Sequence, residues 1–386
     1  MAFPTVFSQV TKLIPRTEFE SWVHRHGGDR GVRAMDCWTW FGALLFGQLT
    51  GHDSIRAIER VFAHGDPSMR KLGFGPVRKS TLSDANQTRP LAVLEAAFGY
   101  ALGLAQKHGP KKNGFRFTGK VYSMDSTTIE LCLALSPWAR FRRSKGAAKL
   151  HTAIDIAGDL PQFAVVTHGK ITDIAIARQE YMRRFRSGDT IVFDRGYIDY
   201  GWFYDMTKAG IYFVTRQKKN CDFKVYESRP TNRTRGIICD QIIYLKGLSG
   251  RNYKGKLRRI SYREPDTGRK FTYLTNRMDL SAQTICDLYK ARWKVELFFK
   301  TMKTHLKIRK FLGTSYHAVK AQVLVALIAY LLVQALRFLH GVRISMPAAM
   351  AALGVLILMK EPLSRILGDL PRVTRHQSGS QLVLNL

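Results

Sequence analysis

The chain has 386 residues, 45% of them hydrophobic and 23% charged. That is enough to bury cores for about two or three domains, and it excludes a peptide, a single small module and general disorder. Its 61 Lys and Arg outweigh 29 Asp and Glu, for a net charge of +32; an excess of this size suits a polyanionic partner, nucleic acid first, rather than small metabolites.

The five cysteines (Cys37, Cys132, Cys221, Cys239 and Cys286) are scattered, with no C-x-x-C among them. They argue against a disulfide scaffold or a zinc ribbon and fit a reducing cytoplasm. The N-terminal stretch lacks a basic start followed by a sustained apolar run, so no signal peptide is expected. Residues 1–110 read as a helical N-terminal domain. Trp38–Leu49 and Leu91–Leu104 are long and apolar enough for helices. Between them Ser80 or Ser83 is placed to cap a short helix beginning near Leu82. Basic residues Arg78, Lys79 and Arg89 flank it, which suits either a DNA-reading helix-turn-helix or a plain helical bundle with a polar turn.

From about 115 the period changes. Lys120–Leu131, Lys149–Ile156, Gln162–His168 and Thr190–Asp194 are rich in Val, Ile, Thr and Tyr and predict strands. Thr172–Phe185 predicts a helix, Tyr200–Ala209 another, and Ile211–Thr215 a further strand. The order is that of an α/β fold. Residues 217–280 read as a β-rich insertion, with strands at Ile237–Leu245, Leu257–Arg263 and Lys270–Thr275 and turns at Leu248–Gly250 and Pro265–Gly268. Ser281 is placed to cap a long helix running to about Leu306. Residues 281–340 form the second part of the α/β core, and 341–386 a helical C-terminal region and tail. The longest uninterrupted apolar run, Val323–Val333, is shorter than the ~20 residues of a membrane span and predicts a buried core helix.

The segment Lys290–Lys310 carries eight Lys or Arg residues and one acid, Glu296. On a helix, Ile285, Leu288, Val295, Phe299, Met302 and Leu306 fall within about 100° of one another and form the buried stripe. Tyr289, Arg292, Glu296 and Lys303 form a second stripe offset by roughly 70°. An i,i+4 ion pair with Arg292 or Lys300 accounts for one charge on Glu296, but not for a face of Tyr, Arg, Glu and Lys leaning on a core. A carboxylate among cations suits a site where metal ions meet phosphates. Asp125, inside the first strand, and Asp194, at the end of the fourth, supply two further acids in apolar surroundings. A carboxylate so placed needs a partner or a metal. No H-E-x-x-H, Walker loop, G-x-S-x-G elbow or dinucleotide fingerprint is present, and His305 and His317 read as ordinary surface or packing residues.

With both Asp blocks upstream in order, Tyr289-x2-Arg292-x3-Glu296-x6-Lys303 resembles the YREK signature of DDE transposases of bacterial insertion sequences, in the family usually numbered four. The likeness is clearest from about 115 to 335, in MDSTTIELCL, WARFRRSKGAAKLHT, VFDRGYID and YKARWKVELFFKTMKTHLKI. It implies a ribonuclease-H-like core in two parts (115–216 and 281–340) with the β-rich insertion between the fifth core strand and the Glu-bearing helix. It implies Asp125, Asp194 and Glu296 as catalytic acids holding two Mg²⁺ ions, with Mn²⁺ as a substitute. It implies DNA contacts from Tyr289, Arg292, Lys303, Trp293, Lys300, Arg195, Arg142, Arg143 and Lys145; Arg140, Lys149, Lys307, Arg309 and Lys310 extend the basic runs.

The activity implied is cut-and-paste transposition in the bacterial nucleoid: end nicking, hairpin formation and strand transfer, by a homodimer bound to terminal inverted repeats and target DNA. Some relatives stack a flipped base on a Trp of the insertion. Here no Trp lies between Trp202 and Trp293, and Tyr244, Tyr253, Tyr262, Phe271 and Tyr273 are the aromatics on offer. The rival readings are a catalytically inactive, transposase-derived DNA-binding repressor and a nuclease that joins nothing.

Overall fold

A computed structural model describes residues 3–63, 67–132, 134, 136–142, 145–306, 308 and 310–369, with side chains for all of these except 140–142 and 145. The chain divides into two units, one of Met1–Gly109 with Lys300–Leu386 and one of Pro110–Phe299.

The first unit is helical. It opens with α1 (Val6–Thr11), α2 (Arg16–Arg25), α3 (Cys37–Thr50), α4 (Ile55–Ala63), α5 (Pro67–Lys71), α6 (Lys79–Thr88) and α7 (Leu91–His108). Asp36 starts α3 by accepting the Thr39 N–H at 2.8 Å, and Gly51 ends it in the left-handed conformation, φ 70°. Every residue of α3 from Cys37 to Leu49 is buried, so it is a core helix without a polar face. The α6 helix begins at Lys79, earlier than the expected start near Leu82, and neither Ser80 nor Ser83 caps it. Glu59 on α4 accepts the Lys79 N–H at 2.8 Å instead. This end is satisfied by a distant side chain, which local sequence does not reveal.

The second unit is α/β. Its strands are β1 (Val121–Leu131), β2 (Arg140–Arg142), β3 (Lys145–Asp155), β4 (Leu160–Pro161), β5 (Val165–His168), β6 (Thr190–Val192), β7 (Tyr212–Arg216), β8 (Phe223–Ser228), β9 (Ile237–Leu245), β10 (Leu257–Arg263) and β11 (Lys270–Thr275). They form one sheet in the order β2-β3-β1-β6-β7-β11-β10-β9-β8, with β4 and β5 also paired to β3. β1, β6 and β7 run parallel, and β3 is antiparallel to both β1 and β5. The strands of 217–280 do not stand apart: β11 pairs with β7 and extends the same sheet. The sequence reading omitted β8, whose residues after Phe223 are all exposed and show no buried face. Leu248–Gly250, read as a turn, lies in a short helix (α10, below).

Helices cover both faces. α8 (Asp173–Ile176) continues into a wider π turn at Ala177–Tyr181, where a single regular helix was expected. α9 (Tyr200–Lys208), α10 (Gly247–Asn252) and α11 (Ala282–Ala291) follow, and α12 (Trp293–Thr304) crosses from this unit into the helical one. Tyr122, Met124, Ile191, Phe193, Trp202, Phe203 and Phe213 pack on one face with Ile176 and Tyr181. Val121, Val192 and Val214 pack on the other with Ile285 and Leu288 of α11. Period-two alternation along β1 thus assigns odd-numbered residues from Val121 to the α11 face. The expected stripe, Ile285, Leu288, Val295, Phe299, Met302 and Leu306, is buried throughout. The long helix is interrupted at Arg292. There Val295 N–H bonds to Arg292 O at 3.2 Å, a tightened i→i−3 step. The same carbonyl accepts the Ser123 hydroxyl of β1 at 2.9 Å. A side chain inserted into the ladder is a physical cause of such a break.

The chain then returns to the helical unit with α13 (Tyr316–Leu339), α14 (Met346–Leu356) and α15 (Leu363–Gly368). α13 packs against α7, α3, α6 and α14. By length and composition it is long and apolar enough to cross a membrane, but 94% of its most apolar stretch is buried inside the protein, as in a core helix.

Candidate active site

Asp125 lies on β1, on the face covered by α11. Its Oδ1 accepts the N–H of Ser126 at 2.8 Å. Asp194 follows β6 and accepts the Gly196 N–H at 2.7 Å, capping the one-turn helix Arg195–Tyr197. A Cβ on Gly196 would come within 3.0 Å of the Asp194 carboxylate, so the small residue leaves that group room. Glu296 lies in the first turn of α12. It is half-buried, as its place at the rim of the buried stripe requires.

Arg292 joins two of these acids. Its guanidinium is 3.7 Å from Asp125 Oδ2 and also pairs with Glu296. Tyr289 stands beneath it, with the guanidinium 5.7 Å from the ring centroid, and packs on Tyr273 at 4.8 Å. The Asp125 carboxyl is pushed up to about 6, first by burial and then by the charges of Asp194 and Glu296; the Ser126 N–H and Arg292 oppose the rise. Burial likewise raises the Tyr289 hydroxyl. The charges of Asp194, after β6, and Glu296, on α12, thus both bear on Asp125 of β1. Among the described residues, no three His, Cys, Asp or Glu side chains stand together as a ready ligand set; the guanidinium of Arg292 lies between two of the acids. The donor chemistry still fits a hard divalent cation, since the oxygens belong to carboxylates whose mutual repulsion such a cation relieves.

The other expected contact residues divide. Arg195, Trp293 and Lys300 are exposed, and Lys303 lies further along α12, in the helical unit. Arg143, Lys307 and Arg309 lie outside the described residues, and Arg140, Arg142 and Lys145 are described in backbone alone. Lys149 does not follow the expectation. It is 2.9 Å from Asp173 and only 16% exposed, so it is engaged inside the protein. Lys310 pairs with Asp53 at 2.8 Å on the surface. Sequence reasoning missed Ser123 and Ser126, although both flank Asp125 in its own motif. A serine hydroxyl in a strand carries no signal of the partner it meets across the sheet.

Residues 116–332 match the family described as the transposase DDE domain, and residues 3–74 match a domain of unknown function (DUF4372). A Sinorhizobium fredii protein named as a transposase, y4zB, is 34% identical over 69% of this chain and 73% of its own length. A Geobacillus stearothermophilus protein named as the transposase of insertion sequence element IS5377 is 27% identical over 71% of each chain. In three dimensions the chain has a likeness, at TM-score 0.45 and 10% identity, to a piggyBac transposase in a synaptic complex with hairpin DNA, covering 97% of this chain and 86% of that one. The chain belongs to the DDE transposase family. Its activity is that of the family, the cutting and transfer of DNA in transposition, and two of its relatives are named for insertion sequence elements.

Proposed function

We propose that this chain is an insertion-sequence transposase of the YREK type, with Asp125, Asp194 and Glu296 as its catalytic acids on a ribonuclease-H-like core. The observation that carries the reading is the convergence on Asp125: Arg292 bridges it to Glu296, and the charges of Asp194 and Glu296 both act on it. The strand order β5-β3-β1-β6-β7, with β3 alone reversed between parallel neighbours, supports the ribonuclease-H-like assignment. In this reading 115–216 and 281–340 form the core, 217–280 the insertion, 1–110 a DNA-binding domain and 341–386 the C-terminal region.

Two Mg²⁺ ions, or Mn²⁺ in their place, would be held by the three acids and, when bound, would activate a water or a DNA 3′-hydroxyl and neutralise charge at the leaving oxygen. The remaining tasks fall to the chain itself. β1 and α12 hold Asp125 and Glu296 on rigid elements. The Ser126 N–H orients the Asp125 carboxylate. Arg292 presents a planar fork suited to a phosphate, and Lys303 a point charge. Tyr289, Arg195, Trp293 and Lys300 complete the surface offered to the strand being cut, and basic residues such as Arg142, Arg143 and Lys145 follow its backbone.

End nicking, hairpin formation and strand transfer then proceed at one site, in a homodimer bound to terminal inverted repeats. For the hairpin step a base needs an accessible aromatic face. Tyr253, Tyr262 and Tyr273 are each 2% exposed and unsuited to this, whereas Tyr244 is 38% exposed and meets Tyr226, 58% exposed, edge to face.

The test uses purified protein, Mg²⁺ and labelled DNA carrying the element's own ends, with wild type and Glu296→Ala compared on denaturing gels. Metal-dependent nicks, hairpins and joined products from wild type alone are expected. Binding without cleavage by either protein would instead indicate a transposase-derived repressor, and equal cleavage by both would remove Glu296 from the site.

A further inference from the structure

A cleft of about 510 Å³ opens beside α11, and the reaction above does not use it. Arg229, Asn232 and Arg235, from the turn between β8 and β9, line it together with Asp240 of β9 and Arg258 of β10. Among the described residues lining it Asp240 is the one acid, and Arg258 holds both of its oxygens, at 2.8 and 2.6 Å. That pair carries no net charge, so the charges of Arg229 and Arg235 are left over. The turn holds both in place. Arg229 Nη1 donates to the Met278 carbonyl at 2.9 Å, and its Nε is 4.0 Å from Glu227, at the outer limit of an ion pair. Asn232 caps the one-turn helix Arg233–Arg235, its side chain accepting the Arg235 N–H at 3.3 Å, and Gly236 closes the turn at φ 79°. A Cβ on Gly236 would collide with the Arg263 carbonyl. The Arg235 side chain is exposed.

This cleft stands in line with the acids. β6 pairs Val192 with Val214 of β7, so Asp194 and Arg216, each two residues further on, are level. In register, Arg216 meets Tyr273 of β11, Tyr273 meets Ile260 of β10, and Ile260 meets Asp240. Residues directly opposite one another share a face of the sheet, and Tyr273 and Ile260 pack on the α11 side, the side of Asp125. The floor of the cleft therefore shares a face and a row with the acids. In the order β6-β7-β11-β10-β9 it stands four strand spacings from Asp194, or about 19 Å at ~4.8 Å each. We infer that the cleft is a second phosphate site, in which Arg229 and Arg235 hold the backbone of the duplex whose end is being cut. The inference rests on Asp125, Asp194 and Glu296 being the catalytic acids. Guanidinium forks match phosphate oxygens. A strand advances about 3.4 Å per nucleotide, so one that runs along the row lays a phosphate in the cleft about five or six nucleotides from the scissile bond.

The test is binding of the full chain to labelled duplex carrying the element's own ends, with single phosphates replaced in turn by neutral methylphosphonates. Wild type, Arg235→Gln and the double variant Arg229→Gln, Arg235→Gln are compared by fluorescence anisotropy across a salt series. The double variant is expected to bind unmodified duplex roughly 10-fold more weakly, the loss of one charged contact. Its salt slope is expected to be shallower by about 0.9, the share of one phosphate. A single neutral phosphate about five or six nucleotides from the cut is expected to weaken wild type by a similar factor and the double variant not at all. Circular dichroism establishes that each variant is folded; Arg235→Gln, at an exposed position, decides the matter where the double variant does not fold. Wild-type affinity and slope in a folded variant, or the same pattern of phosphate interference in variant and wild type, overturns the inference while Glu296→Ala still abolishes nicking. Unchanged nicking by Glu296→Ala removes the catalytic assignment itself, and the inference with it.

Discussion

Asp125 is the residue whose environment departs furthest from the ordinary among the three acids. Its carboxyl is pushed from 3.8 to about 6, mainly by burial. Between those values the folded protein holds a proton that the unfolded chain has lost. Stability therefore falls as pH rises through that window and stays lowered above it. With chelator present, Asp125→Asn is expected to stabilise the protein at about pH 7.5, by up to about 3 kcal/mol, and to have little effect near pH 4. Thermal melts of both proteins at the two pH values check this; an equal change at both would mean that the group is not raised. Arg292 lessens the same penalty by standing between Asp125 and Glu296. Its place in the motif is legible in sequence, but its reach to β1 is not, because Arg292 and Asp125 are far apart along the chain.

At the scale of elements, the site depends on a helix that is not regular. Helical periodicity correctly separates the buried stripe from the Tyr289, Arg292, Glu296 stripe. It does not disclose the break at Arg292, which follows from a hydroxyl on β1 bonding to that carbonyl. The insertion strands β9, β10 and β11 were readable from their β-branched and aromatic residues. Their membership in the same sheet as β1 was not, since strand composition carries no record of which edge a strand joins. Within this extension, Arg258 of β10 bonds Asp240 of β9 through two nitrogens, at 2.8 and 2.6 Å, and both side chains are under 5% exposed. Asp240→Ala leaves that guanidinium buried without its counter-charge. It is expected to lower stability by about 3–5 kcal/mol, read as a shift of the urea unfolding midpoint. A change within about 0.5 kcal/mol would show that water reaches Arg258 after all.

For the whole molecule the dominant quantity is the net charge of +32. Binding to DNA without the terminal repeats is expected to be driven by counterion release. Affinity should fall by roughly 10³- to 10⁵-fold between about 50 and 200 mM salt if about six to ten phosphates are engaged. Fluorescence anisotropy with random-sequence duplex measures the slope, and a shallow one would remove the phosphate-tracking role given to the basic residues. Charge excess, the order of strands and helices apart from β8 and α10, the buried stripe and the spacing of Asp125, Asp194, Tyr289, Arg292, Glu296 and Lys303 were legible in sequence alone. These are properties of composition and of local period, and each is written in residues close together. Tertiary structure decided what depends on distant residues meeting: Glu59 capping α6, Lys149 engaged by Asp173, Ser123 breaking the long helix and Arg292 spanning two acids. Each of these contacts satisfies a charge or a hydrogen bond with a partner from elsewhere in the chain, and which partner arrives is settled only when the core closes and brings them together.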